Sequence, residues 1–470
     1  MTNSLVRIHT LVWGAPALLL ILAVGIYLTV RTGFAQVTMF PGAFRSFFRK
    51  LTRRDTGEGV SSFQALCTAL AATVGTGNLV GVAGAISLGG PGSIFWMWIC
   101  GILGMITKYA EVTLAIRYRF FQNGEYRGGP MHMIESGMGR KGKPLAWVYS
   151  LFGVIAAFGV GNATQINAVV SGIHGVVAGY GGNVSLRQDL GIGIVLAVLI
   201  GAMLLGGAKR IGQAAERLVP VVSAAYILLC LWVLIRELPR IPGAFFSIVH
   251  GAFSPKAVTG GMLGSAFASV RVGCSRGVFT NEAGMGTASI AHACARTSHP
   301  AEQGVMGIVE VFLDTILICT MTALVILVSG VPIPYGTDAG GELTARAFTT
   351  VCGDWAGILL TLALCCFAIA TVLGWGLYGA RCAQYLFGTG AWNWFALLQT
   401  GTVLLGAVLN TEMLWLLAET VNGLMTIPNL IALAVLSPEL VRLTNEYKKK
   451  TGTNSAGGGT YADFHQRKPL

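Results

Sequence analysis

Hydrophobic residues fall along this chain in long blocks, without the alternation of a half-buried strand or the narrow stripe of a surface helix. A run of about 20 mostly apolar residues is long enough to cross a bilayer as a helix. Eleven such runs are present, at 10–30, 62–88, 92–118, 146–172, 189–207, 216–236, 258–290, 303–330, 354–380, 393–409 and 412–436. Short polar segments separate them. The pattern predicts an all-α membrane protein with eleven transmembrane helices, because a helix satisfies its own backbone groups in lipid. The first run does not read as a cleavable signal: only Arg7 precedes it, and the positive residues follow it.

Composition removes the soluble alternative. The 470 residues are 54% hydrophobic and 11% charged, too few charges to cover a water-exposed surface. The net charge of +12 does not indicate a nucleic-acid partner here, because its bases sit in alternate loops. Arg31, Arg45, Arg49, Lys50, Arg53 and Arg54 follow the first run, and Arg117, Arg119, Arg127, Arg140, Lys141 and Lys143 follow the third. Lys209, Arg210 and Arg217 follow the fifth, and Arg442, Lys448, Lys449, Lys450, Arg467 and Lys468 close the chain. The intervening loops are poor in base, so these segments face the cytoplasm, with the N-terminus outside and the C-terminus inside. The ten cysteines lie mostly in apolar runs, without metal-ligand spacing or a disulfide framework, and read as small buried hydrophobes.

Setting the first span aside leaves ten. Residues 1–61 hold the extra helix and a basic loop. Residues 62–236 form a first repeat (core helices 1–5), 237–257 an extracellular connection, and 258–436 a second repeat (core helices 6–10). Residues 437–470 form a cytoplasmic tail expected to be disordered, with Gly, Ser and Thr concentrated after Thr451. Five spans per half give the halves opposite orientation, and a 5+5 inverted repeat suggests a secondary transporter. Any ten-span chain divides this way, so the positions of helix breaks carry more weight.

One break stands at "AATVGTGNLVG", residues 71–81. A dinucleotide fingerprint needs a preceding strand and an acid about 20 residues on. Here the glycines sit mid-span and the next acid is Glu111. Gly75 and Gly77, beside Thr73, Thr76 and Asn78, weaken the helix halfway across. Unpaired backbone at that depth is tolerated where it lines a cavity, offering N–H groups to a carboxylate and carbonyls to a cation. Asn78 adds an oxygen suited to a hard cation. Gly77, Gly81 and Ala85 also make a small-residue packing face, and both readings stand. The span opening the second half carries Gly260, Gly261 and Gly264, then Arg271, Arg276 and Glu282, then Gly284 and Gly286. Arg276 and Glu282 either face a cavity or lie at the cytoplasmic interface.

Asp314, an isolated acid near mid-span with Thr315 beside it, is a functional-site candidate, able to neutralise a cation or carry a proton. Glu310, one turn away, is placed to share that role. Gln165 and Asn167 either bind a polar substrate or bond to a neighbouring helix. Thr371 and Trp375 stand one turn apart on one helix face, as a pocket wall or as packing.

Four segments, "ATVGTGNLVGVAGAISLGGPGSIFWMW", "RGVFTNEAGMGTASIAHA", "FLDTILICTMTALVI" and "TVLGWGLYGARC", together resemble the alanine or glycine:cation symporter family, a likeness running from about Ser61 to Pro438. The resemblance implies the fold of the bacterial leucine transporter, with broken first and sixth core helices. It implies uptake of alanine or glycine coupled to sodium, or to protons in some members, in the plasma membrane of a prokaryote and with no organic cofactor. Thr73 to Asn78 would be the unwound segment, with Thr73, Gly75, Thr76 and Gly77 at the substrate. Asn78 and Asp314 match sodium ligands. Thr371 matches a second sodium site with carbonyls near Ala71 and Val74, and Gln165 and Trp375 match positions near the substrate. Ala370 departs from the pattern, since a second hydroxyl usually precedes Thr371, which puts the second sodium site in doubt. The sixth-helix break is placed at Gly264 to Ser269, with Phe267 over the substrate.

An enzyme would need convergent nucleophile, base or metal ligands at depth, and none of the seven histidines has metalloprotease spacing. A passive channel could use the same breaks and buried acid, and differs from a symporter in being unable to accumulate its substrate.

Overall fold

The computed structural model describes residues 7, 12, 14–52, 59–179, 181–254, 266–409 and 412–453. The first apolar run folds as α1 (Ala15–Arg31), and α2 (Phe40–Thr52) follows it. Then come α3 (Ser62–Thr73), α4 (Gly77–Gly89), α5 (Gly92–Arg117) and α6 (Pro130–Met138). The middle of the chain supplies α7 (Lys143–Gly179), α8 (Leu186–Leu204), α9 (Gly207–Arg236) and α10 (Ile241–Phe253). The remainder is α11 (Ala266–Asn281), α12 (Thr287–Ala293), α13 (Pro300–Val328), α14 (Gly340–Cys352), α15 (Trp355–Phe387), α16 (Ala391–Val408), α17 (Glu412–Val435) and α18 (Ser437–Thr453).

Among the described residues six helices are long and apolar enough to cross a membrane alone: α5, α7, α8, α9, α13 and α15. The pair α3 and α4 passes together, bent by 49°. The runs at 10–30, 393–409 and 412–436 coincide with α1, α16 and α17, and the run at 258–290 is divided between α11 and α12, with residues 258–265 outside the description. Among the described residues the one sheet is a hairpin of β1 (Phe120–Gln122) and β2 (Glu125–Arg127), antiparallel with Phe120 opposite Arg127. Asn123 and Gly124 turn it with φ of 51° and 81°, as a two-residue hairpin needs.

Local sequence explains where the core helices begin. Ser61 and Gln64 form a reciprocal capping box at the start of α3, both bonds 3.0 Å. Helix α5 runs buried through the middle, packed on α11 and α13. Helix α8 instead turns Leu190, Ile194, Val195 and Val198 outward, the apolar surface that lipid covers.

Two expectations are corrected. Residues 266–269 lie within α11, so no interruption falls on them, while Gly264 and Ser265 lie outside the described residues. The chain breaks instead between α11 and α12, where Glu282, Gly284 and Gly286 take φ of 55°, 97° and 79°. Glycine tolerates that region without a Cβ penalty, so the cluster at Gly284 and Gly286 ends α11. The tail is also ordered at its start. Helix α18 folds back at 63° because Leu440 and Leu443 repeat on one face and are buried. Tyr109 Oη and Thr444 Oγ1 meet at 2.9 Å, and Arg117 Nε donates to Glu439 at 2.7 Å. The Arg442 and Arg117 guanidiniums hold the Glu439 carboxyl down at about 2. Residues 454–470 lie outside the description.

Candidate substrate and ion site

Helix α3 stops at Thr73 because Val74 turns extended, with φ −78° and ψ 102°. In a continued helix the Gly75 N–H would bond to the Ala71 carbonyl. It donates instead to Asn78 Oδ1 at 2.9 Å, and the freed Ala71 carbonyl accepts from Thr371 Oγ1 at 3.0 Å. Glycine at 75 leaves room for this bond: a Cβ there would stand 2.7 Å from Thr371 Oγ1 and would displace it. The chain resumes as a widened π-turn, Gly77–Gly81, at the head of α4. Thr371, Ala71 and the break at Val74 therefore come together, with buried Ala370 adding no oxygen beyond its backbone.

Asn78 uses both ends of its amide. Its Nδ2 donates to Asp314 Oδ1 at 2.8 Å and to the Asp314 carbonyl at 3.1 Å. Asp314 is fully buried in a π-wound stretch of α13, Phe312–Cys319, and its Oδ2 accepts from Thr315 Oγ1 at 2.8 Å. Thr315 in turn accepts from Asn281 Nδ2 at 3.1 Å, and Asn281 is the last residue of α11. Both helix breaks thus converge on one carboxylate. Asn281 is absent from the sequence reading; the polar triplet Thr280, Asn281 and Glu282 just before the glycines was its only signal.

Thr76 Oγ1 donates to Gln165 Oε1 at 3.2 Å, and Gln165 Nε2 donates to the Val160 carbonyl at 3.1 Å. Val160 belongs to a π-turn in α7, Gly159–Ala163, where a Cβ on Gly161 would fall 2.3 Å from Trp375. Trp375 is buried, and its Nε1 donates to Glu282 Oε1 at 2.9 Å. A cavity of about 1000 Å³ opens beside the first break, lined by Thr76, Gly77, Asn167, Arg276, Phe279 and Glu419 among others. Arg276 faces it, 3.2 Å from Asp338 and 3.6 Å from Glu419. Phe267 does not join this group, being 62% exposed on α11. With the break after Asn281, the aromatic next to it is Phe279, which lines the cavity.

Glu310 is not part of the ion cluster either. It lies 3.3 Å from Lys108 and 2.9 Å from His292, all three fully buried. Lys108 has no part in the sequence analysis, and Glu111 enters it only as the next acid after the glycines, although two charges one turn apart in a span are themselves a signal. Breaking a buried pair by removing one partner costs about 3–5 kcal/mol. Lys108→Met is expected to lower the thermal midpoint in detergent sharply, and Lys108→Met/Glu310→Gln to recover most of the loss. Equal midpoints for the single and double variants would show that the pair is not what matters.

The arrangement is one of oxygens: backbone carbonyls, hydroxyls, amides and one carboxylate. Such a set of oxygens suits a hard cation.

A model described as the sodium:alanine symporter family matches residues 1–458. The chain is 42% identical to the sodium/alanine symporter AgcS of Methanococcus maripaludis, over 95% of this chain and 98% of that protein. It is 35% identical to the probable sodium/glutamine symporter GlnT of Bacillus subtilis, over 94% and 90%. A crystal structure of MhsT in complex with L-phenylalanine superposes with a TM-score of 0.56 at 14% identity, covering 83% of this chain and 99% of that one. The likeness places the chain in the leucine-transporter-like fold.

Proposed function

The chain belongs to the sodium:alanine symporter family, is a multi-pass membrane transporter and not an enzyme, and we propose that it couples entry of a small neutral amino acid, alanine or glycine, to entry of sodium. The observation that carries this reading is the Asn78–Asp314 pair, which ties the first helix break, whose Thr76 and Gly77 line the cavity, to a buried carboxylate. Eleven spans in a 5+5 inverted repeat, with the N-terminus outside and the C-terminus in the cytoplasm, complete it.

Asp314 supplies the negative charge for the cation. To accept sodium, the Asn78 amide rotates, so that Oδ1 replaces Nδ2 at the ion and the Gly75 N–H is released. That N–H then becomes a donor for the substrate carboxylate, together with the Thr76 hydroxyl and the neighbouring Gly77 backbone. Ion and amino acid are coupled because one amide serves both. Thr371 with the Ala71 and Val74 carbonyls forms a weaker second cation position, weaker because Ala370 supplies no hydroxyl. Phe279 and Gln165 bound the substrate, and buried Trp375 backs the pocket beyond the Gly161 turn, which favours a short side chain over the glutamine in the printed name of the Bacillus relative.

Coupling requires that empty and doubly loaded forms interconvert more readily than half-loaded ones. Purified protein in proteoliposomes is expected to accumulate labelled alanine against its gradient when sodium alone is imposed, and not with potassium. Equal uptake with potassium, or equilibration without accumulation, would defeat the proposal. Accumulation driven by a pH gradient alone would instead favour proton coupling.

A further inference from the structure

The second helix break is held by a carboxylate that the ion site does not use. Glu111 Oε1 accepts three N–H groups, from Gly284 at 2.8 Å, Gly286 at 3.1 Å and Asn429 Nδ2 at 2.7 Å. Its Oε2 is buried and has no partner. Asn429 begins a column of the same kind. On α17, Asn422, Thr426 and Asn429 follow one another at spacings that put them on one face, and they are 1%, 2% and 0% exposed. Asn429 Oδ1, Thr426 Oγ1 and both amide atoms of Asn422 are unpaired. Pro428, inside the same helix, further removes the N–H that would bond to the Leu424 carbonyl. One turn beyond Asn422, Glu419 lines the cavity.

Unpaired polar atoms at this depth are destabilising unless water or a proton serves them, and packing alone would be better made from leucine and valine. Five lie in one file from the cavity wall to Glu111: one carboxylate oxygen, one hydroxyl, and three amide atoms.

The charges select where a proton goes. Lys108 from its own helix and Glu310 act on Glu111 electrostatically, Lys108 is shared with Glu282 at the second break, and Tyr149 from α7 stands beside both acids, its hydroxyl donating to the Met285 carbonyl at 3.0 Å. Glu310 and His292 stand behind Lys108. At Gly284, α1 brings Ile21, and α17 brings Thr426, Leu430 and the Asn429 amide, none of them titratable. One ammonium cannot balance three buried carboxylates. Glu310 holds Lys108 and takes a bond from His292. Glu282 has a donor on each oxygen, Trp375 Nε1 and Thr287 Oγ1. Glu310 Oε1 makes no hydrogen bond either, but it has Lys108 Nζ 3.3 Å away; of these three carboxylates Glu111 is the one with an oxygen that meets neither a hydrogen-bond donor nor a cation within 4 Å.

We propose that Glu111 is a proton-binding site, reached from the cavity along the Asn422–Thr426–Asn429 face of α17, and that its proton load governs how firmly the second helix break is held. This rests on the transport reading given above. A hydronium at the cavity releases a proton, an O–H bond forms at Glu111 Oε2, and neutral water is left. The new O–H turns to Asn429 Oδ1 or Thr426 Oγ1. The three N–H bonds on Oε1 then change from charge-assisted to neutral, and the junction of α11 and α12 loosens.

Two measurements on the full chain in proteoliposomes test this. Wild-type sodium-driven alanine uptake is expected to change at least about fivefold between about pH 5.5 and 8.5, and Glu111→Gln to transport with a flat profile. Infrared difference spectra after a pH jump, which need no transport, should contain a carboxylic-acid C=O band that Glu111→Gln lacks. In Asn422→Leu/Thr426→Val that band should appear at least about tenfold more slowly, because the path is dry; this variant carries the test if Glu111→Gln does not fold. A Glu111→Gln pH profile superimposable on wild type, or a carboxyl band unaltered in both variants, overturns the proposal. If the band behaves as expected and wild type accumulates no alanine at any pH, the proton site stands and the transport reading falls.

Discussion

Asp314→Asn is expected to lower the apparent sodium affinity for alanine uptake at least about a hundredfold, the loss of roughly 3 kcal/mol that follows when a desolvated cation loses its one anionic ligand. The substitution keeps the shape. The side-chain oxygen still accepts from Asn78 Nδ2, now at 2.8 Å from Asp314 Oδ1, and the amide can face the Thr315 hydroxyl, which has a free lone pair. Folding is therefore expected to survive while coupling does not. Asn78→Ala removes the bonds to both Asp314 and the Gly75 N–H, and is expected to reduce alanine affinity as well as sodium affinity, because one amide joins the two. Sodium titrations of initial uptake rates in proteoliposomes check both. Wild-type sodium dependence in the two variants would remove the ion site from this part of the molecule.

Gly75→Ala is the second large effect. The added methyl would stand 2.7 Å from Thr371 Oγ1, inside van der Waals contact, in a position that already approaches Gln165 Oε1 at 3.8 Å. Either Thr371 swings off the Ala71 carbonyl or α3 winds on through the break, and alanine's helix propensity, about 1 kcal/mol better than glycine's, favours the second. Uptake is expected to fall by about ten- to a hundredfold, matching 1–3 kcal/mol of strain placed on the bound state. Adding Thr371→Ala makes room. It is expected to return the thermal midpoint to near wild type without returning sodium dependence, since the hydroxyl at the second cation position has gone. Full recovery of sodium-driven uptake in the double variant would show that Thr371 only packs.

The parts of the site that were legible are those whose signal is local. A glycine pair inside an apolar run announces a broken helix at 75–78 wherever the rest of the protein lies, and an isolated carboxylate at 314 announces itself in the same way. Thr371 and Ala71 are 300 positions apart, and Thr76 and Gln165 are 89 apart; those pairs were reached through the family resemblance and not through the physics of either segment. Where two local signals competed, the choice went wrong. The second half holds two glycine clusters, and the break that the described residues contain lies at the later one, at the end of a helix that runs unbroken from Ala266 to Asn281. Phe267 was misplaced with that choice. The tail was misread because composition averaged over 437–470 hides the two leucines that dock α18.

In a bilayer each span must pair its own backbone groups, so helix after helix is dictated by the residues within it, and the run lengths, the loop charges and the first interruption follow from the amino-acid sequence alone. Side chains inside the membrane obey no such local rule. Whether Lys108 is neutralised by Glu310, whether Glu111 closes the second interruption across 173 residues of chain, and which atoms along α17 are left without a partner depend on how the helices lie against one another. Those contacts belong to the tertiary structure, because the strength of a buried charge or amide is set by what another helix brings to it.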